Sequence, residues 1–312
     1  MDDDIRDLVD EQRASNRKSG SGNSPRPGVA TAVEIRRFRL HNADGTSRLT
    51  PAPDAYDRLV ETTEGPVLSR VFPFPGGVGT VIHFHGGGWA LGSIYEQDTL
   101  LSDLALAIGY DVISVDYPLA PESTLPNTLI VSMSAIRAIL EKTEGPVCVM
   151  GESAGAHVAL ASILGLRRQI GTLAKIQALS LGYGIYDLSM TPSQRSWGEE
   201  FLGLSTPWLE WFYAQALPGV SRDQRSDPAL SPLYSDLAGL PPVLLSVGGL
   251  DPLLDDSTFL QQRLMAAGTI SELDYYPEAH HGFNHSGTRM ARRCNQRVAS
   301  FLRNHMTIQR EL

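Results

Sequence analysis

Residues 147–155 read Val147-Cys148-Val149-Met150-Gly151-Glu152-Ser153-Ala154-Gly155, and this stretch gives the strongest indication of the fold class. Its first four residues are apolar and predict a buried strand, and the run from Ala156 to about Arg168 predicts a helix. Gly-x-Ser-x-Gly at such a junction is typical of a nucleophile elbow. Because the two glycines have no Cβ, the chain can turn sharply and present the Ser153 hydroxyl beside the helix N-terminus, which favours negative charge. The alternative is an ordinary glycine-rich turn, so the rest of the chain must supply the partners of a nucleophile.

Strand-like and helix-like segments alternate on both sides of this junction. Helical periodicity is clearest at Leu129, Met133, Ile136 and Leu140, which recur at steps of four, three and four. Such alternation predicts an α/β fold, with a mostly parallel central sheet, helices on both faces and a site at the carboxyl ends of the strands. The first segments, bounded by Gly and Pro turns, predict antiparallel edge strands. The predicted strands are 56–61, 67–72, 80–84, 111–116, 147–150, 176–181, 243–247 and 272–276, and further helices are predicted near 100–108, 258–267 and 288–305.

A long connection interrupts this alternation before the strand that starts near Val243. It has roughly 60 residues, whereas connections in such folds usually have ~2–6. We therefore predict a helical cap insertion at 185–239, between the two parts of a catalytic body at 55–184 and 240–312. The aromatic residues of the insertion either form its own core or line the substrate pocket. The candidate lining residues are Trp89, Trp197, Trp208 and Phe212.

Residues 1–54 do not resemble sheet and are predicted to form an N-terminal cap or mobile segment. Ile5, Leu8 and Val9 share one face of a small predicted helix. Residues 15–27 are rich in Ser, Gly, Asn, Arg and Pro, which predicts a mobile connector that is either disordered or folded over the body.

Composition narrows the class of protein. The net charge of −9, from 26 Lys and Arg against 35 Asp and Glu, disfavours a nucleic-acid or anionic-membrane surface. No apolar run approaches the ~18 residues of a membrane span, and the start at Met1-Asp2-Asp3-Asp4 is acidic where a signal peptide is basic. We therefore predict a cytoplasmic protein. Cys148 and Cys294 have no metal-ligand spacing and are interpreted as buried thiols.

A nucleophilic serine needs a base, and the base needs an acid to fix its tautomer. Asp251 follows the predicted strand 243–247 in a turn that Pro252 stiffens, which places its carboxylate at the active edge. Asp255 and Asp256 compete for this role, but their position in the first turn of the next helix is explained by capping and the helix dipole. We favour Asp251 as the acid.

The base is expected in the loop after the last strand, Tyr276-Pro277-Glu278-Ala279-His280-His281-Gly282-Phe283. We favour His281, which precedes a glycine that lets the chain bend, whereas His280 would point elsewhere. His285 and His305 are predicted at the surface.

Donors for an oxyanion are predicted in the glycine run that follows strand 80–84. Gly86, Gly87 and Gly88 expose backbone N–H groups, and the N–H of Ala154 adds another. A phosphate cradle is disfavoured because no Gly-Lys-Ser/Thr follows. A zinc site at His83 and His85 lacks a third ligand cluster, so we predict no metal and expect His85 to bond backbone in this loop.

Five motifs together resemble the hormone-sensitive lipase family of esterases, in its bacterial acetyl-esterase-like branch. The resemblance runs from about residue 55 to 305. It implies an α/β-hydrolase fold with a helical cap, hydrolysis of short-acyl carboxylic esters, a Ser153, Asp251 and His281 triad, and an oxyanion hole of the glycines with Ala154. The motifs are His85-Gly86-Gly87-Gly88-Trp89, Asp116-Tyr117-Pro118-Leu119-Ala120-Pro121-Glu122, Gly151-Glu152-Ser153-Ala154-Gly155, Asp251-Pro252-Leu253 and His281-Gly282-Phe283.

The resulting hypothesis is a serine carboxylesterase that needs no cofactor and whose partner is a small-molecule ester. An amidase or arylformamidase with the same triad is a second hypothesis, because arylformamidases have a similar His-Gly-Gly loop. A third is a ligand-binding receptor on this scaffold, as in plant gibberellin receptors, although these have lost the catalytic histidine that His281 would supply here. A homodimer through an edge strand or the last helix is left open.

Overall fold

The computed structural model describes residues 3–19, 30–42, 46–170 and 173–306, and it is built around one eight-stranded sheet. The strand order is β1-β2-β4-β3-β5-β6-β7-β8. β1 and β2 pair antiparallel, as do β2 and β4, and all other pairs are parallel. This confirms the predicted mostly parallel α/β sheet with antiparallel strands at one edge. The strands are β1 Tyr56–Val60, β2 Val67–Phe72, β3 Thr80–Phe84, β4 Asp111–Val115, β5 Val147–Glu152, β6 Ile176–Gly182, β7 Val243–Leu250 and β8 Ser271–His280.

Helices cover both faces of the sheet because its central strands are apolar on both sides. Ile82 and Val149 face one core, together with the helices α4, α5 and α8. Their neighbours Val81 and Cys148 face the other core, against α3 and α9. The helices are α1 Asp3–Ser19, α2 Ala32–Leu40, α3 Asp98–Ile108, α4 Leu125–Lys142, α5 Ala154–Ile170, α6 Pro192–Ser196, α7 Thr206–Ala216, α8 Leu254–Ala266 and α9 Arg289–His305. No helix within the described ranges is long and apolar enough to cross a membrane.

The N-terminal region contains two helices where the sequence predicted one. Leu8 and Val9 of α1 are buried against β8 and α9, as their shared face suggested. The second helix, α2, begins with a capping box in which Thr31 Oγ1 accepts from the Glu34 N–H and the Glu34 carboxylate accepts from the Thr31 N–H. Of the predicted connector, residues 15–19 belong to α1, and residues 20–27 lie outside the described residues.

The stretch 185–239 contains α6, α7 and two short 3-10 helices, Asp223–Ser226 and Pro232–Tyr234. It is fastened to α8 by the fully buried carboxylate of Asp256. Asp256 accepts hydrogen bonds of 2.7 to 3.0 Å from the N–H groups of Tyr186 and Asp187 and from the side chains of Thr191 and Gln194. The interpretation of Asp256 as a cap of α8 was therefore incomplete. Its side chain also bonds to residues 186–194, at the start of the insertion.

Candidate active site

Ser153 lies between β5 and α5 in a strained backbone conformation. Its φ is 56°, in the left-handed region that residues with a Cβ rarely adopt. The neighbouring glycines allow close packing here, because a Cβ on Gly155 would lie 2.0 Å from the Phe84 carbonyl oxygen and one on Gly151 would lie 2.5 Å from the backbone of Gly155. The turn therefore holds the serine hydroxyl at the carboxyl edge of the sheet, as the elbow pattern predicted.

The structure brings Ser153, His281 and Asp251 together. Nε2 of His281 lies 2.9 Å from Oγ of Ser153, and Nδ1 lies 3.0 Å and 3.2 Å from the two carboxylate oxygens of Asp251. Asp251 is 1% exposed and also accepts a 2.8 Å bond from the Leu253 N–H, which fixes the carboxylate in place. The carboxylate selects the tautomer in which Nδ1 carries the proton and Nε2 accepts from the serine.

The competing residues are placed elsewhere. Nδ1 of His280 bonds to the carbonyl oxygen of His281 at 2.7 Å, so this ring points away from the serine. Asp255 accepts from the Ser193 N–H at 2.8 Å, and Asp256 holds the insertion.

The glycine loop after β3 adopts conformations that only glycine tolerates. The φ angles are 122° at Gly87 and 59° at Gly88. A Cβ on Gly87 would lie 2.3 Å from the Leu91 carbonyl oxygen, and one on Gly88 would lie 2.2 Å from the Phe212 ring. In the part of the chain that the structure describes, the N–H groups of Gly87, Gly88 and Ala154 donate to no acceptor.

His85 supports this loop. Its Nδ1–H donates to the Gly86 carbonyl oxygen at 2.8 Å, and its ring stacks on Tyr117 with centroids 4.4 Å apart. The Tyr117 hydroxyl donates in turn to the His85 carbonyl oxygen at 2.6 Å. Burial lowers the pKa of His85 to about 4, so the ring is neutral near pH 7.

Both ring nitrogens of His83, on β3, form hydrogen bonds with buried polar side chains. Nδ1 lies 2.9 Å from Ser114 Oγ, and Nε2 lies 2.9 Å from a carboxylate oxygen of Glu152. Burial alone would raise the pKa of Glu152, but the bond and charge of His83 hold that pKa below its usual range. His83 is thus part of a buried polar chain and is not available as a metal ligand beside His85.

A cavity of about 400 Å³ opens at Ser153 and His281. Phe212 lines it, as predicted, but the other three aromatic candidates do not. Trp89 is fully buried and donates to His157 at 3.1 Å. Trp197 donates to the Glu200 carbonyl oxygen, and Trp208 packs on the Phe212 ring from outside the cavity. The three tryptophan rings therefore contact other residues of the core or the insertion and do not face the cavity.

Sequence reasoning missed Ser93 and seven other side chains that line the cavity. His285, expected only at the surface, is exposed on the cavity side and lies 3.2 Å from the Gln97 amide. Arg39 comes from α2, where three arginines among apolar residues gave no sign of a site. Leu204 follows Gly203, which packs so closely that a Cβ would lie 2.3 Å from the His281 carbonyl oxygen. The seven are Arg39, Glu96, Gln97, Tyr183, Ile185, Leu204 and His285.

A larger cavity of about 620 Å³ lies between α3 and α9, where it contacts Leu104, Arg292 and Ala299. It includes Glu152 but neither Ser153 nor His281. Size alone does not make it the candidate active site, because the Ser153 hydroxyl that contacts His281 and the glycine loop lie at the smaller cavity.

Comparison with known proteins gives a consistent result. A family described as alpha/beta hydrolase fold matches residues 81–285. The acetyl esterase of Salmonella agona strain SL483 is 30% identical over 296 residues, which cover 91% of this chain and 90% of that one. Among solved structures, an esterase from the bacterial hormone-sensitive lipase family is 26% identical with a TM-score of 0.81 and covers 96% of this chain and 98% of that one. The metagenomic carboxylesterase EstE1 is 27% identical with a TM-score of 0.78, covering 89% and 99%.

Proposed function

This chain belongs to the alpha/beta hydrolase fold family, among its hormone-sensitive lipase-like esterases, and on that premise we propose that it is a serine carboxylesterase acting on short-acyl esters. Hydrolysis of ester bonds is supported by the acetyl esterase and carboxylesterase relatives. The observation that carries the mechanism is the continuous chain of contacts from Ser153 through His281 to Asp251.

The reaction follows from this chain of contacts. Nε2 of His281 takes the hydroxyl proton while Ser153 Oγ attacks the ester carbonyl carbon, and Asp251 stabilises the resulting imidazolium. The carbonyl oxygen becomes an oxyanion that accepts from the backbone donors of Gly86, Gly87, Gly88 and Ala154. The protonated His281 then gives its proton to the leaving alcohol, and the acyl group remains esterified to Ser153 Oγ. Water, deprotonated by the same imidazole, attacks the acyl carbon. The bond from that carbon to Ser153 Oγ then breaks, His281 returns the proton to Oγ, and the acid is released.

The preference for a short acyl group is supported by the ring of Phe212. This ring sits where a Cβ of Gly88 would be, 2.2 Å away, so it closes the space above the oxyanion loop. Phe212 lies on α7, and we propose that the stretch 185–239 acts as the cap of a catalytic body formed by 55–184 and 240–312. The buried bonds of Asp256 hold the base of this cap against α8.

The direct kinetic test is Ser153→Ala. We expect the turnover of p-nitrophenyl acetate to fall by several orders of magnitude with the fold intact by circular dichroism, because no other hydroxyl contacts Nε2 of His281 in the described chain. Ser162→Ala is the matched control, since this fully buried hydroxyl on α5 has no hydrogen-bond partner among the described residues. A Ser153→Ala enzyme that keeps near-normal turnover would refute the proposal, and faster hydrolysis of p-nitroacetanilide than of p-nitrophenyl acetate would favour the amidase hypothesis.

A further inference from the structure

The side chains that line the cavity at Ser153 form two chemically different sets, which we call the apolar wall and the polar wall. The apolar wall consists of Tyr183, Ile185, Leu204 and Phe212, and the polar wall consists of Arg39, Ser93, Glu96, Gln97 and His285. An ester has two halves, an acyl group and an alcohol. Since the proposed acyl group is a short alkyl chain, it matches the apolar wall, and the alcohol is left to the polar wall.

The polar wall is held by its own contacts. Nε of Arg39 donates to Glu96 at 3.0 Å, and Nη2 donates to the same carboxylate oxygen. The Gln97 amide donates to Nε2 of His285 at 3.2 Å, which leaves the His285 proton on Nδ1. Although His285 is exposed to the cavity, the protein packed around its ring limits the ring's hydration and lowers its pKa, so the ring is neutral near pH 7. The wall is thus ordered before a substrate arrives.

Hydrogen-bonding groups on this wall are still available. Within the described ranges, Nη1 of Arg39 and Oε1 of Glu96 have no partner, and the Arg39 side chain is 43% exposed. Nδ1–H of His285 adds a second donor. The wall therefore offers both donors and acceptors, and Arg39 and Glu96 carry opposite charges. The Glu152 carboxylate also lines the cavity, but it is bonded to His83. Such a surface matches hydroxyl groups, each of which both donates and accepts.

Resting on the esterase function proposed above, we propose that the alcohol half of the substrate is a neutral polyhydroxylated group the size of a polyol or monosaccharide, bound by the polar wall. A site built to bond hydroxyl groups rejects an alcohol without them, because its polar atoms would lose water and gain no partner. Arg39 and His285 are then specificity-determining residues.

A merely structural role for Arg39 makes a different prediction. Arg36 already fastens α2 to the body through the carbonyl oxygens of Ala90 and Ala120 and the carboxylate of Glu122. If Arg39 only added a second attachment of this kind, its loss would slow all esters equally. The ratio of kcat/KM for esters of two different alcohols therefore distinguishes a structural role of Arg39 from a role in binding the alcohol.

The experiment compares two acetates with alcohols of similar size, methyl 6-O-acetylglucopyranoside and cyclohexylmethyl acetate. We expect kcat/KM to be at least about tenfold higher for the sugar ester and Arg39→Met to lower this ratio about fivefold or more. His285→Leu should lower it independently. Arg37→Met, the same change on the same helix outside the cavity lining, should keep the ratio, and Arg36→Met should change both rates in proportion.

Equal or faster hydrolysis of cyclohexylmethyl acetate would overturn the inference, and so would an Arg39→Met enzyme that slows both esters equally. In either case continued hydrolysis of p-nitrophenyl acetate would leave the proposed esterase function standing. If none of the three esters is hydrolysed, the proposed function and the inference fall together.

Discussion

Each ring nitrogen of His281 has one fixed partner, and this determines what the residue can do. Nδ1 faces the buried Asp251 carboxylate, so its proton stays on that side and Nε2 keeps a lone pair for Ser153. In the proposed mechanism Nε2 takes the serine proton, and the carboxylate would already be in place to stabilise the positive ring. The proposed reaction therefore needs little rearrangement of the site.

Asp251→Asn tests this arrangement. An amide in place of the carboxylate can donate to Nδ1, which favours the wrong tautomer, and it cannot stabilise the imidazolium. We expect kcat for p-nitrophenyl acetate to fall by about 10³ to 10⁴ with little change in the fold. The control is Asp255→Asn, four residues on, whose carboxylate bonds to Ser193 and not to the histidine. Comparable losses in the two variants would contradict the role of Asp251.

The sequence predicted which three proposed catalytic residues come together better than it predicted the residues around them. Ser153, Asp251 and His281 each follow a strand in a short motif, so the fold brings them to one edge. Arg39 and Glu96 reach the cavity by packing between distant elements, which no local pattern encodes. Trp89 was misplaced because its φ of 60° turns the chain and sends the ring inward to His157.

At the scale of elements, α1 braces the strand end that leads to His281. Glu278, three residues before this histidine, has a φ of 59° although it is not glycine. Its carbonyl oxygen accepts from the Asn16 side chain at 2.8 Å, and its carboxylate accepts from Arg13 at 3.0 Å. Asn16 is itself buried and oriented by Gln12. These bonds hold a strained residue next to the site.

Asn16→Ala removes the partly buried bond to Glu278. We expect the free energy of unfolding to fall by about 1–3 kcal/mol, since a partly buried carbonyl loses its donor, and kcat to fall several-fold, since the loop of His281 is less well held. Urea denaturation and steady-state kinetics measure the two effects. Asn127→Ala, which changes an exposed residue on α4, is the control. Unchanged kinetics with lowered stability would show that α1 stabilises the fold without positioning the histidine.

The sequence predicted some helices and strands more accurately than others. Helices α3 and α4 and the buried strands follow from periodicity, and their observed ends differ from the predicted ones by a few residues. The second N-terminal helix, α2, was missed because its arginines hide the apolar stripe formed by Ala32 and Ile35. The capping-box pattern of Thr31 and Glu34 was the sequence feature that could have indicated the start of α2.

At the scale of the whole molecule, His157 joins three parts of the fold. It lies on α5, accepts from Trp89 at 3.1 Å and donates from Nε2 to the Leu230 carbonyl oxygen at 2.7 Å, within the stretch 185–239. Burial lowers its pKa from the usual 6.5 of a histidine to about 4. A second proton would break the bond to Trp89, so the folded protein keeps this ring neutral.

This predicts a loss of stability in acid. Between about pH 6.5 and pH 4 the unfolded chain binds a proton at His157 that the folded chain refuses, so stability is full above this range and falls as the pH drops. The contribution is roughly 3 kcal/mol by pH 4. His157→Gln, neutral at every pH, should lose less stability than the wild type between about pH 7 and pH 4 in urea titrations. The exposed His41→Gln is the control, and equal acid losses in wild type and His157→Gln would count against this account.

The overall architecture was predictable because alternation leaves few ways to bury every apolar face. Apolar runs such as Val147–Met150 require helices on both sides, and observed cores on both faces of the sheet confirm this. The detailed path of residues 185–239 was not predictable, because it depends on contacts such as those of Asp256 with Thr191 and Gln194.

Covalent labelling tests whether Ser153 is a nucleophile activated by His281. An activated serine should react with an electrophile that ordinary serines do not attack. Treatment with diisopropyl fluorophosphate followed by peptide mass spectrometry should find one phosphoryl group per chain, on the peptide containing Ser153. Labelling should rise in parallel with loss of p-nitrophenyl acetate turnover and should be strongly slowed in His281→Ala. Loss of turnover with Ser153 unmodified, or equally fast labelling without His281, would contradict the account.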